Sequence, residues 1–136
     1  MVSSNNHDPP QDISPDYLKG VHILLVEDSW QVGEAIKYLL EAMGAEVTGP
    51  TATAAEAERL LSKRAPNAAI VDFSLRGGEH ADGLIDRLYD RGVSVILISG
   101  YEVLPVAPAK VAAILKKPFT DTQLLTTLQR LIAPKA

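Results

Sequence analysis

The chain has no cysteine among its 136 residues. That excludes a disulfide framework and a thiolate metal site. It lacks any apolar run near the ~20 residues that a membrane-spanning helix needs. It also lacks a basic excess: 13 Lys and Arg stand against 17 Asp and Glu, a net charge of −4. A general nucleic-acid binder usually carries a basic stripe, so this class is set aside. No signal peptide opens the chain; residues 1–20 are polar, with Pro9, Pro10 and Pro15 set among Asn5, Asn6, Asp8 and Asp12. Internal repeats and low-complexity segments are absent too. These absences leave one cytoplasmic domain as the expectation, with no nucleic-acid or membrane partner.

What is present is a regular alternation. Residues 1–20 read as a flexible arm, with Tyr17 and Leu18 as the points that could pin it, and 21–136 as the domain. Val21–Val26 is almost wholly apolar and reads as a strand buried on both faces. Val32, Ala35, Ile36, Leu39, Leu40 and Met43 then form a helical stripe, ended by Gly44. Ala45–Thr48 is a short second strand, closed by Gly49-Pro50. Thr53-Ala54-Ala55-Glu56 has a capping-box pattern and opens a second helix. Asn67–Asp72 is the third strand, and Leu84, Ile85, Leu88 and Tyr89 mark a third helix. Val93–Ile98 is the fourth strand. Pro105 and Pro108 then predict a loop, or at most a short, irregular fourth helix. Val111–Leu115 is the fifth strand, and a capping box at Thr120–Gln123 opens the last helix. Apolar strands alternating with amphipathic helices predict an α/β fold. The expected architecture is a doubly wound, five-stranded parallel sheet in the order 2-1-3-4-5.

The strand ends carry the chemistry. The first ends on Glu27-Asp28, the third on Asp72, the fourth on Ser99 and the fifth on Lys117. In a parallel sheet these ends share one edge, where ligands bind in such folds. Taken alone, Asp72 is a turn or capping residue and Glu27-Asp28 are acids suited to a helix N-terminus. Together they are three carboxylates, a hydroxyl and an ammonium converging on one crevice. Clustered carboxylates repel unless a cation lies among them. Oxygen-only ligands with room for water suit Mg²⁺, or Mn²⁺. An aspartate can accept a phosphoryl group as an acyl phosphate, a reaction that depends mainly on positioning and charge.

Val26-Glu27-Asp28, Val71-Asp72, Ile98-Ser99-Gly100 and Lys117-Pro118-Phe119 resemble, in order, the motifs of response-regulator receiver domains of two-component signalling. The likeness spans Val21 to Ile132. It implies that Asp72 is the phosphoacceptor, supplied by a phosphohistidine on a sensor histidine kinase or phosphotransfer protein. It implies that Asp28, Asp72 and the backbone carbonyl of Ser74 bind Mg²⁺, with Glu27 acting through water. Lys117 and Ser99 would contact the phosphoryl group, while Ser74 and Tyr101 would tune its lifetime. The family usually has Tyr or Phe three residues before the motif lysine as a switch; here that position is Ile114. Ser99 and Lys117 are only 18 positions apart, short for a helix and a strand. Only Ala-Pro-Lys-Ala follows Ile132, so a stand-alone receiver with output through protein–protein contacts is expected. It would not be an enzyme beyond its own phosphorylation and slow dephosphorylation. Ser99-Gly100-Tyr101 is also similar to a Thr-Gly-Tyr stretch of single-domain receivers.

Other classes fit less well. A flavodoxin-like cofactor binder needs a phosphate-cradling loop after the first strand, and Glu27-Asp28 would repel phosphate. An aspartyl-phosphate hydrolase usually carries Asp-x-Asp, where this chain has Asp72-Phe73-Ser74. A phosphate sink for a kinase, or an interaction domain independent of phosphorylation, stays open as an alternative. His7 and His22 read as structural or solvent residues, and Trp30 as rim packing. His80 reads as a solvent residue too, although its loop after Asp72 would let it modulate lifetime.

Overall fold

The computed structural model describes residues 16–75, 81–100 and 108–132. β1 (His22–Val26) leads to α1 (Trp30–Ala42), β2 (Glu46–Thr51) to α2 (Ala54–Lys63), and β3 (Ala68–Asp72) to α3 (Asp82–Asp90). β4 (Ser94–Ser99), a 3-10 turn at Pro108–Lys110, β5 (Ala113–Lys116) and α4 (Asp121–Ile132) complete the described elements. The five strands form one parallel sheet in the order β2-β1-β3-β4-β5. This is the predicted architecture, and in it β1, β3 and β4 are interior strands.

The sheet is covered on both faces. Leu24, Val26, Ala69, Val71, Val95 and Leu97 face α2 and α3, packing against Leu61, Leu84 and Leu88. Ile23, Leu25, Ile70, Ile96 and Ile98 face α1 and α4, packing against Leu40, Leu124 and Leu128. Burial of each such side chain contributes about 1.5–3 kcal/mol, which explains why β1 and β3 read as unbroken apolar runs. Leu18 belongs to the second layer. It is buried, and its N–H donates to the Met43 carbonyl, while Tyr17 Oη donates to the Gln129 carbonyl.

Helix starts follow local chemistry. Ser29 caps α1 by accepting from Val32 N–H, and Thr53 caps α2 by accepting from Glu56 N–H. At α4 the capping box is complete: Gln123 N–H donates to Thr120 Oγ1, and Thr120 N–H donates to Gln123 Oε1. At α2 only half of it forms, because the Glu56 carboxylate accepts from the Thr51 hydroxyl instead. β2 corrects the sequence reading. It does not stop at Thr48 but continues through Gly49-Pro50 to Thr51, after a register slip opposite Leu24 and Val26. The slip lets Thr51 pair with Val26, and its carbonyl accepts from Glu27 N–H.

His22, at the opposite end of β1 from the strand-end acids, is buried. Its Nε2 lies 2.6 Å from Thr48 Oγ1, and its Nδ1 has no hydrogen-bond partner. Burial, and then the Arg64 guanidinium, hold its pKa below the ordinary 6.5; Glu46 and the Ala65 carbonyl oppose them. The unfolded chain therefore takes up this proton more readily than the fold does. The stability that neutral His22 supports is complete above pH 6.5 and is lost as pH falls from 6.5 through the lower folded value. His22→Gln is expected to remove that acid sensitivity. Urea midpoints of wild type and variant should converge between about pH 7.5 and about pH 5.5. A gap that stays constant with pH would show that His22 does not titrate in this way.

Candidate functional site

Four strand ends meet at the carboxyl edge of the sheet. β1 delivers Glu27 and Asp28, and β3 delivers Asp72 as its last residue. β4 delivers Ser99, and the chain leaving β5 delivers Lys117. Backbone pairing fixes their heights: Asp72 is opposite Ile98, and Lys117 N–H donates to the Ser99 carbonyl at 2.8 Å. Phe73, buried behind Asp72, donates its N–H to the Ile98 carbonyl and so keeps the chain from peeling off after the acid.

The side chains converge as the strand ends require. One carboxylate oxygen from each of Glu27, Asp28 and Asp72 lies within 4.8 Å of the others. Asp72 is buried. Its Oδ1 accepts from Ser74 N–H at 3.0 Å, and its Oδ2 pairs with Lys117 Nζ at 3.0 Å. Asp28, Asp72, Ser74, Gly100 and Lys117 line an open crevice of about 450 Å³. Ser99 is buried beneath its rim.

The electrostatics are unbalanced in one direction. Burial is the main cause that pushes the Glu27 carboxyl up to about 7; the charge of Asp72 adds to it, and Ser29 N–H and Lys117 oppose it. Burial pulls the Lys117 ammonium down, but its hydrogen bond to Asp72 and the charges of Asp72, Glu27 and Asp28 outweigh that and raise it. Glu27 Oε2 accepts from Ser29 N–H at 3.0 Å, while Oε1 is buried with no hydrogen-bond partner. A buried carboxylate oxygen left unsatisfied costs roughly 1–3 kcal/mol or more. Three acids facing one lysine, all oxygen donors, with one donor unsatisfied, are the composition that a hard divalent cation fits.

Of the residues singled out from sequence, Glu27, Asp28, Asp72, Ser74, Ser99 and Lys117 are brought together here. Tyr101 and His80 lie outside the described residues. Ile114 stands apart on β5, 48% exposed, on the strand face opposite to Ala113 and Leu115. Trp30 is 70% exposed, so the rim packing expected of it is not formed. The start of α1 carries it outward beside the crevice.

The sequence reading missed a groove beside the site. Val32, Ala35, Leu39, Phe119 and Leu124 line an apolar cleft of about 460 Å³ between α1 and α4, with Lys117 at its edge. Val32 belongs to the α1 stripe yet is 38% exposed on its lip. The signal was available: the α1 stripe is wider than one neighbouring helix covers.

No family model matches the sequence, and no curated protein matches it. Solved structures do. A CheY-like response regulator receiver domain protein from Methanospirillum hungatei JF-1 is 27% identical over 83% of this chain and 92% of its own, with a TM-score of 0.74. A response regulator receiver protein from Burkholderia phymatum is 27% identical over 85% of this chain and 98% of its own, with a TM-score of 0.72. A CheY-like receiver domain from Methylobacillus flagellatus is 24% identical over 82% of this chain and 98% of its own, at 0.71. No helix among the described residues is long and apolar enough to cross a membrane. With the strand order, the motif residues at four strand ends and these structural likenesses in agreement, the chain has the fold of the receiver domains of two-component response regulators.

Proposed function

We propose that the protein is a signalling module switched by phosphorylation of Asp72. The observation that carries this reading is the buried Asp72 carboxylate, held between Lys117 Nζ and Ser74 N–H beside Glu27 and Asp28. A carboxylate oxygen of Asp72 attacks the phosphorus of a phosphohistidine on a sensor kinase or phosphotransfer protein. The P–O bond forms, the P–N bond breaks, and the imidazole leaves with its electron pair and takes a proton. Lys117 is placed to neutralise a phosphoryl oxygen, and Ser99 to donate to another.

Asp28, Asp72 and the Ser74 carbonyl would hold Mg²⁺, or Mn²⁺, with Glu27 acting through a water molecule. The ion supplies positive charge for the phosphoryl oxygens. The unpartnered Glu27 Oε1 supports a hydrated ion at this place. The groove beside Lys117 suits a helix of the phosphodonor, laid against Val32, Leu39 and Phe119. Adding roughly −1.5 to −2 charge at Asp72 would draw in Ser99 and shift the population between two states of a protein-binding face. With Ile114 in place of an aromatic, that shift does not run through a hydroxyl–ring pair.

The test uses the purified protein with Mg²⁺ and acetyl phosphate. A mass increase of one phosphoryl group, labile to hydroxylamine and absent when EDTA is present, is expected at Asp72. No labelled species, or a label indifferent to EDTA, would sink the reading.

A further inference from the structure

The last residues of β2 do more than finish the sheet. Gly49 has φ +110, and its lack of Cβ lets the chain pass directly over the Leu25 carbonyl. Pro50 is thereby delivered against Gly33, the fourth residue of α1, which is buried. A Cβ on Gly33 would stand 2.7 Å from Pro50 Cβ, 2.8 Å from Pro50 Cγ and 3.6 Å from Glu27 Cγ. The two approaches to Pro50 are too close for a side chain unless something shifts, while the one to Glu27 is an ordinary van der Waals distance. Glycine is also a poor helix former, so α1 carries an unfavourable residue where Pro50 approaches.

The same place holds the stem of Glu27. Its backbone N–H is bound by the Thr51 carbonyl, the residue after Pro50. Ser29 N–H fixes Oε2, Oε1 is buried with no hydrogen-bond partner, and one of the two Glu27 oxygens lies within 4.8 Å of an oxygen of Asp28 and of Asp72. Three segments thus meet at Gly33 of α1: Pro50 of β2 lies directly against it, and the Glu27 stem, at the end of β1, lies 3.6 Å from its Cβ position.

We propose that Gly33 and Pro50 are positioning residues, a steric seat that sets the Glu27 carboxyl at the angle needed to complete a divalent-cation site. The proposal rests on the metal reading given above. Outer-shell residues of this kind typically change metal affinity by 10–100-fold.

The test measures Mn²⁺ binding by electron paramagnetic resonance, with circular dichroism and thermal midpoints of the metal-free proteins. Gly33→Ala is expected to weaken Mn²⁺ binding about tenfold. A purely structural role, in which the methyl only favours the helix or only crowds Pro50, would move the thermal midpoint and leave affinity alone. Pro50→Gly, which adds no atom, is also expected to weaken binding by loosening the seat. In Gly33→Ala/Pro50→Gly the new methyl fills the space of the lost ring, so affinity should return above the sum of the two single losses. Wild-type affinity in both single variants, or strictly additive losses in the double, would overturn the proposal. A wild-type protein that binds no Mn²⁺ would instead overturn the metal reading, and this proposal with it.

Discussion

Asp72→Asn is expected to abolish phosphoryl transfer to the protein while leaving it folded. The amide keeps the shape of the carboxylate. Its one amide oxygen can keep one of the two contacts that hold Asp72 at 3.0 Å, from Ser74 N–H or from Lys117 Nζ, while the amide nitrogen cannot accept the other. It is not a nucleophile toward phosphorus, so no acyl phosphate can form. Under conditions where the wild type is labelled by acetyl phosphate, the variant should show no labelled species by intact mass. Mg²⁺ affinity should fall as well, since one of three carboxylates within 4.8 Å has lost its charge. Stability should change little or rise. The Asp72 charge is one of the causes that raise Glu27, and removing it relieves that repulsion, although burial, the larger cause, still keeps the Glu27 carboxyl up. A thermal midpoint at or above that of the wild type would show that lost labelling is chemical. Labelling at the wild-type level would move the acceptor elsewhere and remove Asp72 from its role.

The fold was legible because its signals are local and repeated. Ile23, Leu25, Ile70 and Val71 lie on interior strands covered on both faces, so their apolar runs admit no surface reading. The site was legible for a related reason. A parallel sheet places strand ends on one edge, so finding where each apolar run stopped gave Asp28, Asp72, Ser99 and Lys117 without coordinates. What escaped depends on pairing between distant segments. Gly49-Pro50 reads as a stop, yet a register slip at β1 carries β2 across it to Thr51. Glu56 reads as the second half of a capping box, yet Thr51 captures its carboxylate. The unsatisfied Glu27 oxygen, the exposure of Trp30 and the groove between α1 and α4 have the same origin. Each is set by how elements pack; single positions carry no mark of the first two, and only the width of the α1 stripe pointed to the groove.

Lys117→Ala should separate two quantities that fall together in Asp72→Asn. Lys117 Nζ pairs with the acid cluster through Asp72 Oδ2, 3.0 Å away. Its ammonium is held charged by Asp72, Glu27 and Asp28 against the pull of burial. Toward a phosphoryl group that charge is an asset, and losing a donor aimed at developing negative charge costs about 10²–10³-fold in rate. Acetyl phosphate labelling of Lys117→Ala should therefore slow by about 100-fold. Toward Mg²⁺ the same ammonium is a competing cation, and its removal takes the positive charge away from Asp72. Mg²⁺ affinity should accordingly rise, read by Mn²⁺ competition. The stability loss should be small. The Lys117 side chain is 40% exposed, so its pair with Asp72 is closer to a surface ion pair, worth about 0–1 kcal/mol, than to a sealed one. Lys117→Arg keeps the charge and should hold affinity near the wild type while recovering part of the rate. If affinity and rate fall together in Lys117→Ala, the lysine is a structural clamp on Asp72. If the rate does not change, it never meets the phosphoryl group. Only opposite movements of affinity and rate fit a lysine that shares the Asp72 carboxylate with the ion before transfer and neutralises the phosphoryl oxygens during it.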